Sequence, residues 1–369
     1  MCLTTARMRT AQNKLSTLCL LATTLGSVPQ ANAGFLTITD RNYPAGAPQP
    51  LITAIDQVFN DFETEINSNL PSVDGAKYAK GIANSLVTTA GTQGADYSSD
   101  IDMFLVGFNV GVGGDLGTTS LQGLAQGDAT ASDIAGAALG ASALIGVNLG
   151  FVPDFLPLID MDRANAYLSF MSYSQEFGSL DFSTSSFGLM GQYQILQGKD
   201  LGLGAAKWNG VQVSSGIRYN KLKFIGTQSL TESITDTIPG GSMTATVNAD
   251  LEFGADASAW TIPIEVSSSA RLAWVFGLFA GIGTDLSFGS SKGIAKGDGP
   301  IDVSTTGGVG TITANAELSI ADANEKPSFL NFRYFAGTQV ELGVLALHIQ
   351  YTGTLNNTLA LQGGVKAFW

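Results

Sequence analysis

T-L-A-L-Q-G-G-V-K-A-F-W, residues 358–369, sets Leu359, Leu361, Gly363, Val365, Ala367 and Trp369 on one face of an extended strand. Ala360, Gln362, Gly364, Lys366 and Phe368 fall on the other, because strand side chains alternate with a period of two. One face is apolar and the opposite face carries Gln362 and Lys366. That division suits a strand with lipid on one side and an aqueous lumen on the other. An edge strand of a soluble protein also alternates, so the segments upstream decide between the two.

The same period recurs from Ile101 onward. Phe104, Val106, Phe108, Val110 and Val112 share a face, and so do Ala141, Ala143, Ile145, Val147 and Leu149. Further strands read as Ala164–Ser174, Ser185–Leu196, Val211–Phe224, Trp260–Ser267, Leu272–Phe288, Leu330–Val340 and Val344–Tyr351. With the closing strand the count is about ten, in a defensible range of 8–14; an even number returns the chain to the side on which it began. Short turns are expected near Ser268-Ser269 and Leu342-Gly343, and long external connections near 113–140, 226–256 and 290–327. Alternation persists through Thr244–Phe253, so strands are expected to protrude as hairpins. F-V-P-D-F-L-P-L-I-D, 151–160, reads as a connection on the side of the short turns, since Pro153 and Pro157 do not suit a closed ladder.

Residues 34–100 differ. Leu51, Ile55, Val58, Phe59, Phe62, Ile66 and Leu70 recur at spacings of three and four, with Asp56, Asn60, Asp61, Glu63 and Glu65 between them. This is an amphipathic helix over Pro48–Pro71. A second helix of smaller residues is expected from Gly75 to Ala90, with Ala79, Ile82, Ala83, Leu86 and Val87 on one face. The pair is expected to plug the lumen, cap it from the periplasm or fold back on the wall; spacing does not choose.

Residues 1–33 hold Arg7, Arg9 and Lys14, no acidic residue, a short apolar core at Leu15–Leu25 and an A-x-A site at Ala31-Asn32-Ala33. That layout is a secretory signal peptide. Its loss removes both cysteines and takes the formal net charge from −13 to −16, which excludes the basic face that nucleic-acid binding requires. Charged residues are 13% of the chain and 45 residues are Gly. No later stretch approaches the apolar length of a membrane-crossing helix. The chain thus reads as an all-β transmembrane antiparallel β-barrel with three parts: signal peptide 1–33, helical N-terminal element 34–100 and barrel 101–369 with long external loops.

Chemistry is sparse. His348 is the sole histidine and no G-x-S-x-G elbow exists, so no catalytic residue, metal site or cofactor is expected and the chain does not read as an enzyme. G-V-G-G-D-L-G, 111–117, lacks the Lys-Ser/Thr of a phosphate loop. Glu265, Arg333, His348, Gln350, Gln362 and Lys366 are expected to line the lumen. Arg163, Arg218, Arg271 and Arg333 are expected to meet Glu265, Asp285 or Glu341, or to cap strand ends. Trp208, Trp260, Trp274, Tyr334, Tyr351 and Trp369, with Tyr193 and Tyr219, are candidates for membrane-interface girdles, where amphipathic rings settle.

A closing strand ending A-F-W resembles that of bacterial outer-membrane β-barrels. The resemblance implies location in the outer membrane of a bacterial cell, contact with its lipid and recognition of the last strand by the barrel-assembly machinery. S-N-L-P-S-V-D-G-A-K-Y-A-K-G-I-A-N-S and G-A-D-Y-S-S-D-I-D-M-F-L-V-G, within residues 68–107, are similar to outer-surface adhesins of spirochaetes, which implies surface exposure and singles out no binding residue. The layout as a whole resembles transporters of hydrophobic substrates. Passive transport of a small solute past an N-terminal plug is therefore the leading expectation. Adhesion to an extracellular ligand through long acidic loops is the alternative.

Overall fold

A strand whose two faces differ this sharply needs two environments, and in the computed structural model the strands meet that need by closing into a ring. The structure describes residues 36–43, 47–69, 75–91, 95–97, 103–117, 135–153, 160–202, 206–238, 241–305, 312–319 and 323–369. The expected signal peptide lies outside them, as do parts of the connections expected near 113–140, 151–160 and 290–327.

In chain order the elements are β1 (Leu36–Asn42), α1 (Gln49–Asn69), α2 (Gly75–Gly91), β2 (Phe104–Asp115), β3 (Gly136–Asn148), β4 (Ala164–Phe177) and β5 (Leu180–Leu196). Then come β6 (Lys199–Asp200), β7 (Ala206–Ile238), β8 (Gly241–Leu272), β9 (Phe276–Thr305), β10 (Ile312–Ser319) and β11 (Asn324–Glu325). β12 (Leu330–Leu342), β13 (Leu345–Thr354) and β14 (Thr358–Phe368) complete the chain. Ten strands form a closed antiparallel ring: β2, β3, β4, β5, β7, β8, β9, β12, β13 and β14, with β14 pairing back to β2 from Thr358↔Asp115 to Phe368↔Leu105. Pro263 sits inside β8 because the β7–β8 ladder lapses there, between Ser215↔Ile264 and Arg218↔Thr261.

The ring is apolar outside and polar inside. Val106, Leu278, Ile282, Ile349 and Leu361 are 47–66% exposed, whereas Asn109, Gln339, Gln350 and Lys366 are at most 4% exposed. In water this would be costly; against hydrocarbon it is the favourable arrangement. On β9 the band runs from Phe276 to Phe288. At about 3.3 Å per residue and about 45° of tilt it spans on the order of 28 Å, the thickness of a bilayer's hydrocarbon core. Aromatic pairs bound it. Phe104 and Trp369 lie 6.2 Å apart at one rim; Tyr219–Trp260 (4.9 Å) and Phe288–Phe329 (5.3 Å) lie at the other, and Tyr334–Tyr351 (6.2 Å) lies within the band, Tyr334 pairing with Ile282.

Beyond the second rim β7, β8 and β9 continue as a sheet, to which β9 adds β10 and β10 adds β1. α1 covers one face of this extension. Ile55, Val58, Phe59 and Phe62 pack on Ile38, Met243, Ala245, Val247, Ile301, Val303, Ile312 and Ala314. Arg41 of β1 ties the helix down, donating to Asp56 and Asn60 at 3.0 Å each and lying over the Phe59 ring.

Several expectations are corrected. Residues 34–100 are not wholly helical, since Leu36–Asn42 is a strand paired with β10, and α1 lies at the end of the ring opposite Trp369. The 226–256 connection is regular strand of β7 and β8, the protruding hairpin that its alternation implies, and the turns at 178–179 and 355–357 at the same end are short. The turn expected at Ser268-Ser269 falls at Ala273-Trp274-Val275, where Ala273 and Trp274 take φ of 50° and 59° and the Val275 N–H donates to the Leu272 carbonyl. Two successive left-handed residues match the twist of a hairpin, so Leu272 closes β8 instead of opening β9.

Candidate functional site: the occupied lumen

An eight-stranded ring is filled by its own side chains, so a ten-stranded one admits a helix only where small residues meet. α2, G-A-K-Y-A-K-G-I-A-N-S-L-V-T-T-A-G, meets that condition. From Tyr78 to Gly91 all but Lys80 is buried, against ring strands on several sides. A helix buried all round is a core helix, and here the core is the lumen. A Cβ on Gly81 would stand 2.5 Å from the Ala135 carbonyl carbon, and one on Gly136 would collide with the Ile82 backbone. Ser85 donates to the Gly136 carbonyl at 3.0 Å, and Asn84 bridges Asp115 (3.0 Å) and the Ser328 N–H (2.9 Å).

The C-terminal end of α2 stops midway down the ring, where its last carbonyls and the negative end of its dipole need donors. Two arginines provide them, one from β7 and one from β12. Arg218 on β7 donates to the Ala90 and Gly91 carbonyls at 3.0 and 2.6 Å, and Arg333 on β12 donates to the Gly91 carbonyl at 2.9 Å. Their charges are met by Glu265, which accepts from Arg218 at 3.2 Å and from Arg333, and by Asp285, which accepts from Arg333 Nε at 3.1 Å. The Tyr97 hydroxyl donates to Glu265 at 2.6 Å. Two cations and two anions are thus buried together, each hydrogen-bonded, the condition under which such charges are tolerated.

Below this level the wall changes character. The Tyr97 ring packs on Phe279 and Phe335, with centroids 5.8 and 4.7 Å away, among Leu105, Leu144, Tyr167 and Met190. Phe335 lies over Gly281 and Phe279 over Gly337, neither of which could carry a Cβ. Beside this layer Lys366 donates to Asp96 at 2.7 Å and to Gln339 at 3.1 Å, while Gln192 donates to the Asp96 carbonyl at 2.9 Å. Gln339 donates on to Glu341, which holds Arg271 at 3.3 Å. The helix, the paired charges and the aromatic layer all stand inside the ring.

Glu265, Arg333, His348, Gln350, Gln362 and Lys366 all face inward at 5% exposure or less. Only Glu265, Arg333 and Lys366 join the two polar networks. His348 lies across from Gly364 on the neighbouring strand, and among the described residues its Nδ1 has no hydrogen-bond partner. Trp260 stands at the rim away from Trp369, which lies near Phe104, while Tyr334 and Tyr351 lie lower on the wall, Tyr334 across from Ile282. Trp274 lies exposed in the lower turn, and Trp208, near that end, donates its indole N–H to Ser268. Arg163 stacks on Tyr193. Asp96 and Tyr97 escaped the sequence reading because they lie in an aperiodic stretch; the one signal was an Asp-Tyr pair between a small-residue helix and the first ring strand. Among the described residues no three His, Cys, Asp or Glu side chains group to hold a metal ion.

A family model described as Lsa36-like matches residues 30–369. No curated protein sequence matches the chain. Among solved structures the chain is similar to the translocator domain of the autotransporter NalP from Neisseria meningitidis, with 11% identity, TM-score 0.32 and coverage of 73% of this chain and 90% of that one. It is also similar to the CymD monoaromatic hydrocarbon channel, with 6% identity, TM-score 0.25 and coverage of 79% and 98%. The outer membrane protein Omp33 of Acinetobacter baumannii matches with 8% identity, TM-score 0.25 and coverage of 73% and 99%.

Proposed function

We propose that this chain, which belongs to the Lsa36-like family, is an outer-membrane barrel that anchors an external head for contact with a partner outside the cell. The head is the sheet extension with β1 and α1 on it. What supports this reading is the content of the lumen: α2, the Arg218–Arg333–Glu265–Asp285 cluster and the Tyr97 layer stand inside the ring, on the path a solute would take. What such a barrel offers is its outer end. The uncovered face of the head presents Asp250, Asp298, Asp302 and Glu317, which suits a partner with a basic surface. The apolar band contacts outer-membrane lipid, β14 is the strand offered to the assembly machinery, and no catalytic step is assigned to the chain.

A second reading is transport of a small solute after α2 moves. Its support is the wall itself, where the side chains of Ser142, Ser214, Thr261, Ser267 and Gln362 include buried polar atoms without a partner among the described residues. Such atoms would suit a lumen that opens to water. Conductance of the purified protein in planar bilayers separates the two readings. An anchor is silent, while sustained openings in the unaltered protein would overturn the anchor reading in favour of transport.

A further inference from the structure

The path of the chain, more than any single residue, carries a second function. β2 starts at the rim that holds Trp369, where the Met103 and Phe104 N–H groups both donate to the Trp369 carbonyl. β1 and α1 lie at the other end, on the extension beyond Trp260 and Phe288. Between them the chain runs down the inside of the ring. The first turn of α2 lies near Gly293, above the external rim; its last turn meets Arg218 and Arg333; and Asp96 and Tyr97 meet Lys366, Phe279 and Phe335 below them. The ring closes around this path, the β2–β14 seam being paired from end to end and β3 joining β4 over the six pairs from Ala143↔Phe170 to Asn148↔Asn165. Everything ahead of α2 is therefore joined to the first ring strand through the lumen and by no other route.

Resting on the outer-membrane orientation proposed above, we infer that the barrel exports its own N-terminal segment. Residues 36–69 reach the cell surface by passing through the lumen, and α2 is the trailing part that stays inside as the closure. The site's construction fits a stop placed at the end of such passage. α2 carries no acidic residue and mostly small side chains, so it offers little to hinder entry into a narrow polar tube. The groups that hold it act on its final turn and on the residues just beyond: the two arginines take the carbonyls of Ala90 and Gly91, and Lys366 takes Asp96. Those partners reach their donors only after the preceding length has gone through. The head folds onto the extension with its own core, that of α1 on β1, β8, β9 and β10, which requires that it arrive unfolded.

The test places one epitope ahead of Leu36 and a second in the Gly178–Ser179 turn, and reads both by antibody and protease access on intact cells. A variant with a short cysteine-closed loop ahead of the first epitope is assembled under oxidising or reducing conditions. Passage predicts that both epitopes are accessible, that the oxidised loop removes access to the N-terminal epitope alone, and that reduction restores it. A hidden N-terminal epitope beside an accessible turn epitope overturns the inference while leaving the orientation intact. So does an N-terminal epitope that stays accessible whether or not the loop is closed, since the ring would then have closed around a head already outside. A hidden turn epitope overturns the orientation, and the inference with it.

Discussion

α1 and α2 stand side by side in the sequence and meet opposite surroundings. α1 buries one stripe, Ile55, Val58, Phe59 and Phe62, against a sheet and turns Asp61 to solvent. α2 is buried nearly all round, against a tube. A strong stripe of large apolar residues announces one wall; small residues on every side announce enclosure. The two are also held differently. α1 depends on area removed from water, whereas α2 depends on close backbone approach at Gly81 and Gly136 and on charges that cap its last turn. Substitutions should therefore act through apolar area in α1 and through volume and charge in α2.

The sharpest way to break the comparison is Gly81→Leu. The new side chain would begin against the Ala135 backbone, which cannot rotate away, so the cost exceeds the ~1–3 kcal/mol of ordinary overpacking. α2 is expected to leave its seat while the ring stays closed, and conductance should appear in a protein that is otherwise silent. The same change at Thr53, on the exposed face of α1, should produce nothing.

Next in size is Glu265→Gln. It leaves Arg218 and Arg333 buried around Asp285 alone, and removing one member of such a cluster costs about 3–5 kcal/mol. The loss should appear as earlier thermal unfolding in detergent and as faster amide exchange at Ala90 and Gly91. The ion pair of α1 is a contrast. Arg41 and Asp56 are 22% and 38% exposed, so Arg41→Ala should cost no more than about 1 kcal/mol.

Phe59→Ala reverses the comparison. Phe59 is fully buried in the head, and its truncation should cost about 3 kcal/mol, the lower end for such a change because α1 can settle onto the sheet. The loss should be confined to exchange in α1 and the extension, leaving Gly91 and the ring protected. Global loosening would show instead that head and lumen form one cooperative unit.

Both kinds of region were unevenly legible in the sequence. The ring could be read because hydrocarbon outside and polar groups inside impose alternation on every strand, from Phe104 to Trp369. α1 could be read because its spacing is governed by a single wall. The end of the membrane band could not, since Thr244–Phe253 alternates whether its apolar face meets lipid or α1. Nor could the turn at Ala273-Trp274, where strand register sets a left-handed pair that neither residue prefers. β1 was hidden because its partner, β10, lies far along the chain. Of the lumen site, the wall residues followed from alternation, while Asp96 and Tyr97 did not, because a segment threaded through a tube has no period of its own.

A pH change distinguishes the helices without altering ring residues. Burial, and after it the neighbouring Asp56 carboxylate, raises the Tyr43 phenol above its ordinary value of 10.0. A phenol with a raised folded-state pKa stabilises the fold fully below its unfolded value, and that contribution is lost as pH rises through the folded one. α1 should therefore loosen from the extension in alkali above pH 10, seen as faster exchange at Phe59, while Tyr43→Phe removes that part of the pH dependence and α2 is unaffected.

The smallest effect tests what the head keeps at a cost. Asp298 lies directly between Asp250 on β8 and Glu317 on β10, three acidic side chains in one row on the uncovered face. Like charges placed opposite one another across strands destabilise a sheet by about 0.2–1 kcal/mol. Asp298→Asn should accordingly stabilise the head by that amount, measured as slower exchange in β8–β10, and the gain should shrink as salt screens the row. A row retained only by chance should tolerate the change in every assay. A row that serves a basic partner should not: binding of intact cells to polylysine-coated beads should fall with Asp298→Asn even as the head becomes more stable. Stability and binding would then move in opposite directions, as no substitution that merely damaged the fold could make them do.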